Sequence, residues 1–223
     1  MIQAILYKEW IKTRRAVLLA AALLAGYVAY AAIHTGQLFR VDGAVATWAN
    51  MILKDAFPLP AALRWLPLLT GVLAGIAQFV PEMTNKRLKL TLHLPMPERR
   101  VLSVMLLYGA GTLVALYAAT ILAAWGILAR YYPAEFLAGF LWRALPWFVA
   151  GVVGYLFAAW TCVEPAWTRR ASNALVATGA LAACYLDAPA GGYLPMLPYL
   201  ALLTGAGFCL PFYSAARFKE GAQ

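Results

Sequence analysis

From Ala16 to Ile33 the chain carries no charged residue, and stretches of the same kind recur along its length. A transmembrane helix needs about 20 mostly apolar residues, and this run has the required character. A bilayer offers no water to unpaired backbone groups, so a spanning segment must be a helix or part of a closed barrel. A barrel strand alternates apolar and polar residues over about ten positions. Ala16–Ala32 is apolar throughout, which excludes that pattern. A soluble fold is excluded by composition: 64% of the 223 residues are hydrophobic and 12% charged, against about 25% charged in ordinary domains. Such a chain in water would expose aggregation-prone apolar patches. The expected class is all-α and polytopic, one transmembrane domain over residues 1–223.

Six spans are read along the chain: Ala16–Ile33, Trp65–Val80, Val101–Ala129, Ala144–Val163, Ala174–Leu186 and Leu197–Tyr213. The third is long enough to tilt or protrude. The fifth is short and begins as early as Ala171 on a wider reading. Pro211 is expected to kink or end the sixth. The alternative for the last two is a re-entrant pair joined by the Pro- and Gly-rich stretch Asp187–Pro195. The first run lacks a small-residue cleavage site and is long enough to span, so it reads as a span, not a signal peptide. Gly109, Gly111, Gly151 and Gly154 are read as positions of close helix packing.

Charge sets the orientation. With six spans, one side holds Lys8, Lys12, Arg14, Arg15, Lys86, Arg87, Lys89, Arg99, Arg100, Arg169, Arg170, Arg217 and Lys219, which are 13 of the 18 Lys and Arg. The other five, Arg40, Lys54, Arg64, Arg130 and Arg143, fall on the opposite side. Basic residues beside apolar spans mark the cytoplasmic face, so both termini are expected there. The same clustering turns the net charge of +9 toward membrane topology, and no nucleic-acid motif is visible. Trp65, Tyr131, Tyr132, Trp142, Trp147, Trp160, Trp167, Tyr199 and Tyr213 stand at or near the span ends, where amphipathic rings prefer to lie.

Between the spans, three segments carry information. In Met1–Arg15, Ile2, Ile5, Leu6 and Trp10 share a helical face that Glu9 interrupts, which reads as an interfacial helix turning into the first span, or as a basic flank that only fixes topology. In the external loop His34–Arg64, Val41, Val45, Trp48 and Ile52 recur at helical spacing, so a short helix on the outer surface is expected. In the cytoplasmic segment 82–100, Leu88 and Leu92 lie one helical turn apart. Pro95 ends that helix, Pro97 suits the first turn of the next, and Glu98 favours its positive end. Glu82 reads either as a solvated carboxylate paired with Lys86 four residues on or as a hinge contact.

On these residues the chain resembles the permease subunits of ABC-2 type ABC transporters. Lys8-Glu9-Trp10 looks like the Lys-Glu pair of their N-terminal interfacial helix. Glu82, Leu88, Leu92, Leu94-Pro95 and Arg99 follow the order of a Glu after span two, a Leu-rich stretch, Leu-Pro and a basic residue opening span three. The departure is Asn85-Lys86-Arg87, where many members carry Gly-Thr or Gly-Ser. The resemblance implies that Leu88–Leu94 is a coupling helix docking on a separate ATP-hydrolysing subunit. It further implies a second permease copy or a related permease as partner, and residence in the plasma membrane, the inner membrane of a bacterium.

The chain itself has no P-loop pattern GxxxxGK[ST], so ATP hydrolysis is assigned to the partner. A membrane enzyme is not expected, since the predicted span interiors hold essentially no ionisable side chain. No cofactor or metal is expected: Cys162, Cys184 and Cys209 form no CxxC, and His34 and His93 fall in loops on opposite sides. A non-transporting anchor or assembly subunit is the alternative function. Spans lined by small and apolar residues, with scattered Thr112, Thr120, Thr178 and Asn173, point to an apolar or amphipathic cargo rather than a small hydrophilic solute. The topology is checked by impermeant thiol labelling in a background without the native cysteines. Asn50→Cys should label in intact cells and Thr91→Cys only after permeabilisation; the reverse pattern overturns the orientation.

Overall fold

The computed structural model describes residues 2–54, 61–84, 97–186 and 194–220. Among these there are seven α-helices and no strand: α1 (Ile2–Val41), α2 (Gly43–Lys54), α3 (Leu66–Thr84), α4 (Glu98–Leu128), α5 (Ala134–Val163), α6 (Trp167–Ala182) and α7 (Leu197–Glu220). Five are long and apolar enough to cross a membrane: α1, α3 with the turn before it, α4, α5 and α7. The protein is therefore a multi-pass membrane protein. The segment expected to be the fifth span differs. It starts at Trp167, and after Ala182 it tightens into a 3-10 turn over Ala183–Tyr185; at 16 residues, α6 falls short of a span by length.

The helices outrun the apolar runs that announce them. α1 is a single 40-residue helix, about 60 Å long at 1.5 Å per residue. The expected turn after an interfacial helix is absent, because Ala-rich sequence with high helix propensity bridges the two parts without a breaker. The helix also absorbs His34, expected in a loop, whose ring stacks on Tyr30. α1 stops at Asp42-Gly43, where Gly43 takes φ +77, a conformation open to glycine. A helix follows in the expected segment as α2, with Val45 and Ile52 exposed, while Val41 of the expected stripe ends α1 instead. Pro211 lies inside α7, which runs on to Glu220, so the proline does not end it. Internal prolines persist in membrane helices because neighbours re-satisfy the backbone groups they release.

α3 and α5 form the centre and share the most extensive contact of the bundle. α1 packs on α3 and α4, α4 also packs on α5, and α6 and α7 pack on α5, with α7 meeting α4 as well. The central contact is made by backbone. A Cβ on Gly71 would sit 1.9 Å from the Gly151 carbonyl oxygen, and one on Gly75 would sit 2.8 Å from the Tyr155 carbonyl oxygen. Gly71 and Gly75 are four apart, the small-xxx-small spacing of membrane helix interfaces. Gly109, Gly151 and Gly154 are likewise closely approached, whereas nothing lies within 4 Å of a Cβ on Gly111, so Gly111 is not a packing position.

Side-chain contacts fix which helix ends lie together. Lys8 and Lys12 near the start of α1 meet Glu82 near the end of α3. Glu98 at the start of α4 pairs with Lys219 at the end of α7. Arg217 pairs with Glu164, the residue after α5. At the far end, Trp65 before α3 stacks on Tyr185 after α6 at 3.9 Å, and Phe39 of α1 packs on Tyr131 and Tyr132 after α4. α6 with its 3-10 turn thus runs the length of the bundle, from the Glu82 end to the Trp65 end.

Replacing Gly151 with leucine forces a side chain against the Tyr117 hydroxyl and the Pro67 carbonyl. Overpacking of this kind costs about 1–3 kcal/mol or more. Thermal unfolding in detergent should show a lowered midpoint for Gly151→Leu and no material change for Gly111→Ala.

Candidate functional site

At the Glu82 end, four helices enclose a polar network. Its components reach it from residues that face inward on otherwise apolar helices. On α1 the buried positions are Ile5, Glu9, Thr13, Ala20, Leu24, Tyr27, Ala31 and Thr35, while Ile2, Leu6 and Trp10 are exposed. The expected apolar face of the N-terminal segment is therefore mostly its outer face, and the interrupting Glu9 marks the inner one. The outward apolar face follows from a lipid environment, where burial of apolar groups against protein brings no hydrophobic gain.

Lys12 is the hub. Its Nζ donates to Glu9 Oε1 at 2.8 Å and to Glu82 Oε1 at 2.9 Å, and it lies 2.8 Å from Glu9 Oε2 as well. Lys8 Nζ is 2.9 Å from the same Glu82 oxygen. Gln78, one turn before Glu82, donates from Nε2 to Glu9 Oε2 at 2.8 Å and to the Met105 carbonyl at 2.9 Å. The Tyr155 hydroxyl of α5 donates to Gln78 Oε1 at 2.9 Å. Thr13 Oγ1 donates to the Glu9 carbonyl and lies 3.0 Å from the Tyr108 hydroxyl. Glu9 and Glu82 are 0% and 1% exposed, so both acids lie where an unpaired charge would be costly. Two acids against two amines leave the cluster formally neutral. Glu82 Oε2 accepts no bond among the described residues. The network ties α1, α3, α4 and α5 through polar contacts at one depth.

A second buried carboxylate closes the other side of the same end. Glu164 accepts from Ser214 Oγ at 2.6 Å and from Arg217 Nη1 at 2.6 Å, and its backbone carbonyl accepts from Arg170 Nε at 2.6 Å. This fastens the α5–α6 turn to α7. Among the described residues no group of three metal-ligating side chains gathers.

Of the residues expected at the coupling site, Glu82 is neither solvated nor a surface pair: it is buried and held by α1, and Lys86 lies outside the described residues. Leu88, Leu92, Leu94 and Pro95 also lie outside them. Arg99 stands exposed in the first turn of α4, where its carbonyl accepts from Ser103 Oγ. Glu9 and Glu82 lie outside the predicted span interiors, which hold essentially no ionisable group, but inside the long helices α1 and α3 that extend beyond them, and both are buried. Gln78, Tyr155 and Glu164 were missed. The available signal was position: Gln78 and Glu82 are four apart, so they share one face of α3.

Lys12→Met would strip both carboxylates of their shared partner. Breaking a buried pair costs about 3–5 kcal/mol, whereas Lys8, with its side chain 40% exposed, should contribute about 1 kcal/mol or less. In thermal unfolding, Lys12→Met should fall well below Lys8→Met, and adding Glu9→Gln to Lys12→Met should recover part of the loss.

Set beside known proteins, the chain finds no counterpart: no protein-family model, no curated protein and no solved structure matches it.

Proposed function

We propose that this chain is the membrane-spanning permease subunit of an ATP-driven transporter of the ABC-2 type, handling an apolar or amphipathic substrate. The observation that carries this reading is the way both borders of segment 85–96 are anchored. Just before it, Glu82 is gripped by Lys8 and Lys12 of α1. Just after it, Glu98 is paired with Lys219 of α7. The described residues bordering the segment are thereby tied by ion pairs to the first and last long helices. That is the mechanical requirement of a coupling element.

The rest of the reading builds on that connection. α6 with its 3-10 turn makes a sixth crossing, as its run from Arg170 to Tyr185 along the bundle supports. Six crossings put both termini and segment 85–96 on one side, the cytoplasmic side by the distribution of basic residues. Leu88, Leu92, Leu94 and Pro95 form the surface that a separate ATPase grips in a groove, with Arg99 beside it. Glu82 is the hinge contact at its base. ATP is hydrolysed by that subunit, and a second permease, the same chain or a related one, completes the transporter. The membrane is the plasma membrane.

Co-purification with the ATPase tests the reading. The double variant Leu88→Asp, Leu92→Asp places charge in an apolar interface, where desolvation is costly. It should insert normally but lose the ATPase or its regulation. Unchanged assembly and turnover in that variant would remove segment 85–96 from the coupling role.

A further inference from the structure

Opposite the polar network, α3, α5 and α6 leave a groove between them. Its longer part has a cavity volume of about 410 Å³ and runs from Trp65 and Tyr185 to Thr161 and Cys162. A second part, about 420 Å³, continues to Trp167 and Arg170 and shares Thr161, Cys162 and Ala174 with the first. From Arg170 to Tyr185 the helical rise is about 22 Å, longer than the ~15 Å of hydrocarbon in one leaflet. Within the range of ligand-sized sites, about 300–1,000 Å³, this one is long, narrow and almost wholly apolar over its deeper part.

Its mouth is different. Arg170 lines it and Arg169 is exposed beside it. The acid nearest in sequence, Glu164, has its two carboxylate oxygens engaged by Ser214 and Arg217. Arg170 bonds only the neutral Glu164 carbonyl, and its guanidinium carbon lies 5.2 Å from the Trp167 ring centroid. Among the described residues no carboxylate pairs with Arg170. An unneutralised cation braced on an exposed interfacial tryptophan, at the entrance of an apolar channel, is complementary to a molecule with an anionic head and an alkyl tail.

We propose that this groove is a binding site for an anionic glycerophospholipid. One acyl chain lies between α3, α5 and α6, and the phosphate sits at Arg170, at the end of the bundle that carries the basic residues. The site requires only that the chain reside in a bilayer; it does not depend on coupling to an ATPase.

The test is photolabelling of the purified protein in phosphatidylcholine nanodiscs, with a phosphatidylglycerol carrying a diazirine in its acyl chain and adducts mapped by mass spectrometry. Adducts should concentrate on groove residues such as Ala174 and Thr178, above the level on lipid-exposed Leu122. Unlabelled phosphatidylglycerol should compete about fivefold better than phosphatidylcholine, the preference expected of one basic residue at an anionic headgroup. Ala174→Trp, at an exposed position that fills the junction of the two parts, should bring groove adducts down to the Leu122 level. Arg170→Gln should abolish the headgroup preference while adducts remain, and Arg170→Lys should keep it. Even labelling of groove and Leu122, insensitive to Ala174→Trp, overturns the site. Equal competition by the two lipids overturns the headgroup assignment. Efficient crosslinking of Ala174→Cys between two copies would show that a second chain covers the groove instead. Failure of the unaltered chain to co-purify with any ATPase, with labelling intact, would count against the permease reading alone.

Discussion

The close approach of α3 and α5 sets the geometry of everything else. Where Gly71 meets the Gly151 backbone, a Cβ has no room, so the two helix axes lie nearer than any pair of larger residues permits. In a bilayer, helices gain little by hiding apolar surface from lipid, and close contact of this kind supplies dispersion and packing energy instead. Because α3 and α5 meet by backbone, side chains such as Gln78 and Tyr155 are left to reach α1 and α4, and Val72 and Ile76 to line the gap toward α6. Tyr155 shows the consequence. It is fully buried, with its hydroxyl seated against the space that Gly109 leaves empty and bonded to Gln78. Any side chain at Gly109 would displace it from the network.

The charged residues obey a second constraint. Burying Glu9 and Glu82 is unfavourable by itself, and each needs a cation and hydrogen bonds to remain charged in a low-dielectric site. Lys12 serves both acids, which makes the contact between α1 and α3 indivisible: moving either helix exposes or orphans two carboxylates at once. A network of this type is a strict specifier of helix register, because a shift of one residue on α1 turns Glu9 away from Gln78. It lies at the end of the bundle where the basic residues gather, and the opposite end is closed by aromatic stacking between Trp65 and Tyr185.

Much of the architecture was legible in the sequence, because uninterrupted apolar runs have few physical solutions. The centres of five of the six expected spans, a helix at α2 and the packing role of Gly109, Gly151 and Gly154 were readable. Helix ends were less so. Hydropathy registers where lipid contact stops, whereas a helix stops where its backbone is broken, so α1 continues at both ends of its apolar run. The polar site was harder to read for a related reason. A glutamate near a span end has the same composition signal whether it faces water or the interior. The helical face on which Glu9, Gln78 and Glu82 lie was visible in their spacing, but their convergence depends on which helices are neighbours. That information sits in glycine contacts between residues far apart in sequence, such as Gly71 with Gly151. Glu164 gave no spacing signal at all, since its partners Ser214 and Arg217 lie at the far end of the chain.

The polar network and the apolar groove occupy opposite faces of the same two helices. On α3, Gln78 and Glu82 face α1, while Val72, Ile76 and Val80 line the groove. On α5, Tyr155 reaches into the network and its neighbour Gly154 lines the groove. The two helices meet by backbone contact at Gly71 and Gly75, so both faces are set by one closely packed pair. That pair presents the partners of its ion pairs to one side and an apolar cleft to the other.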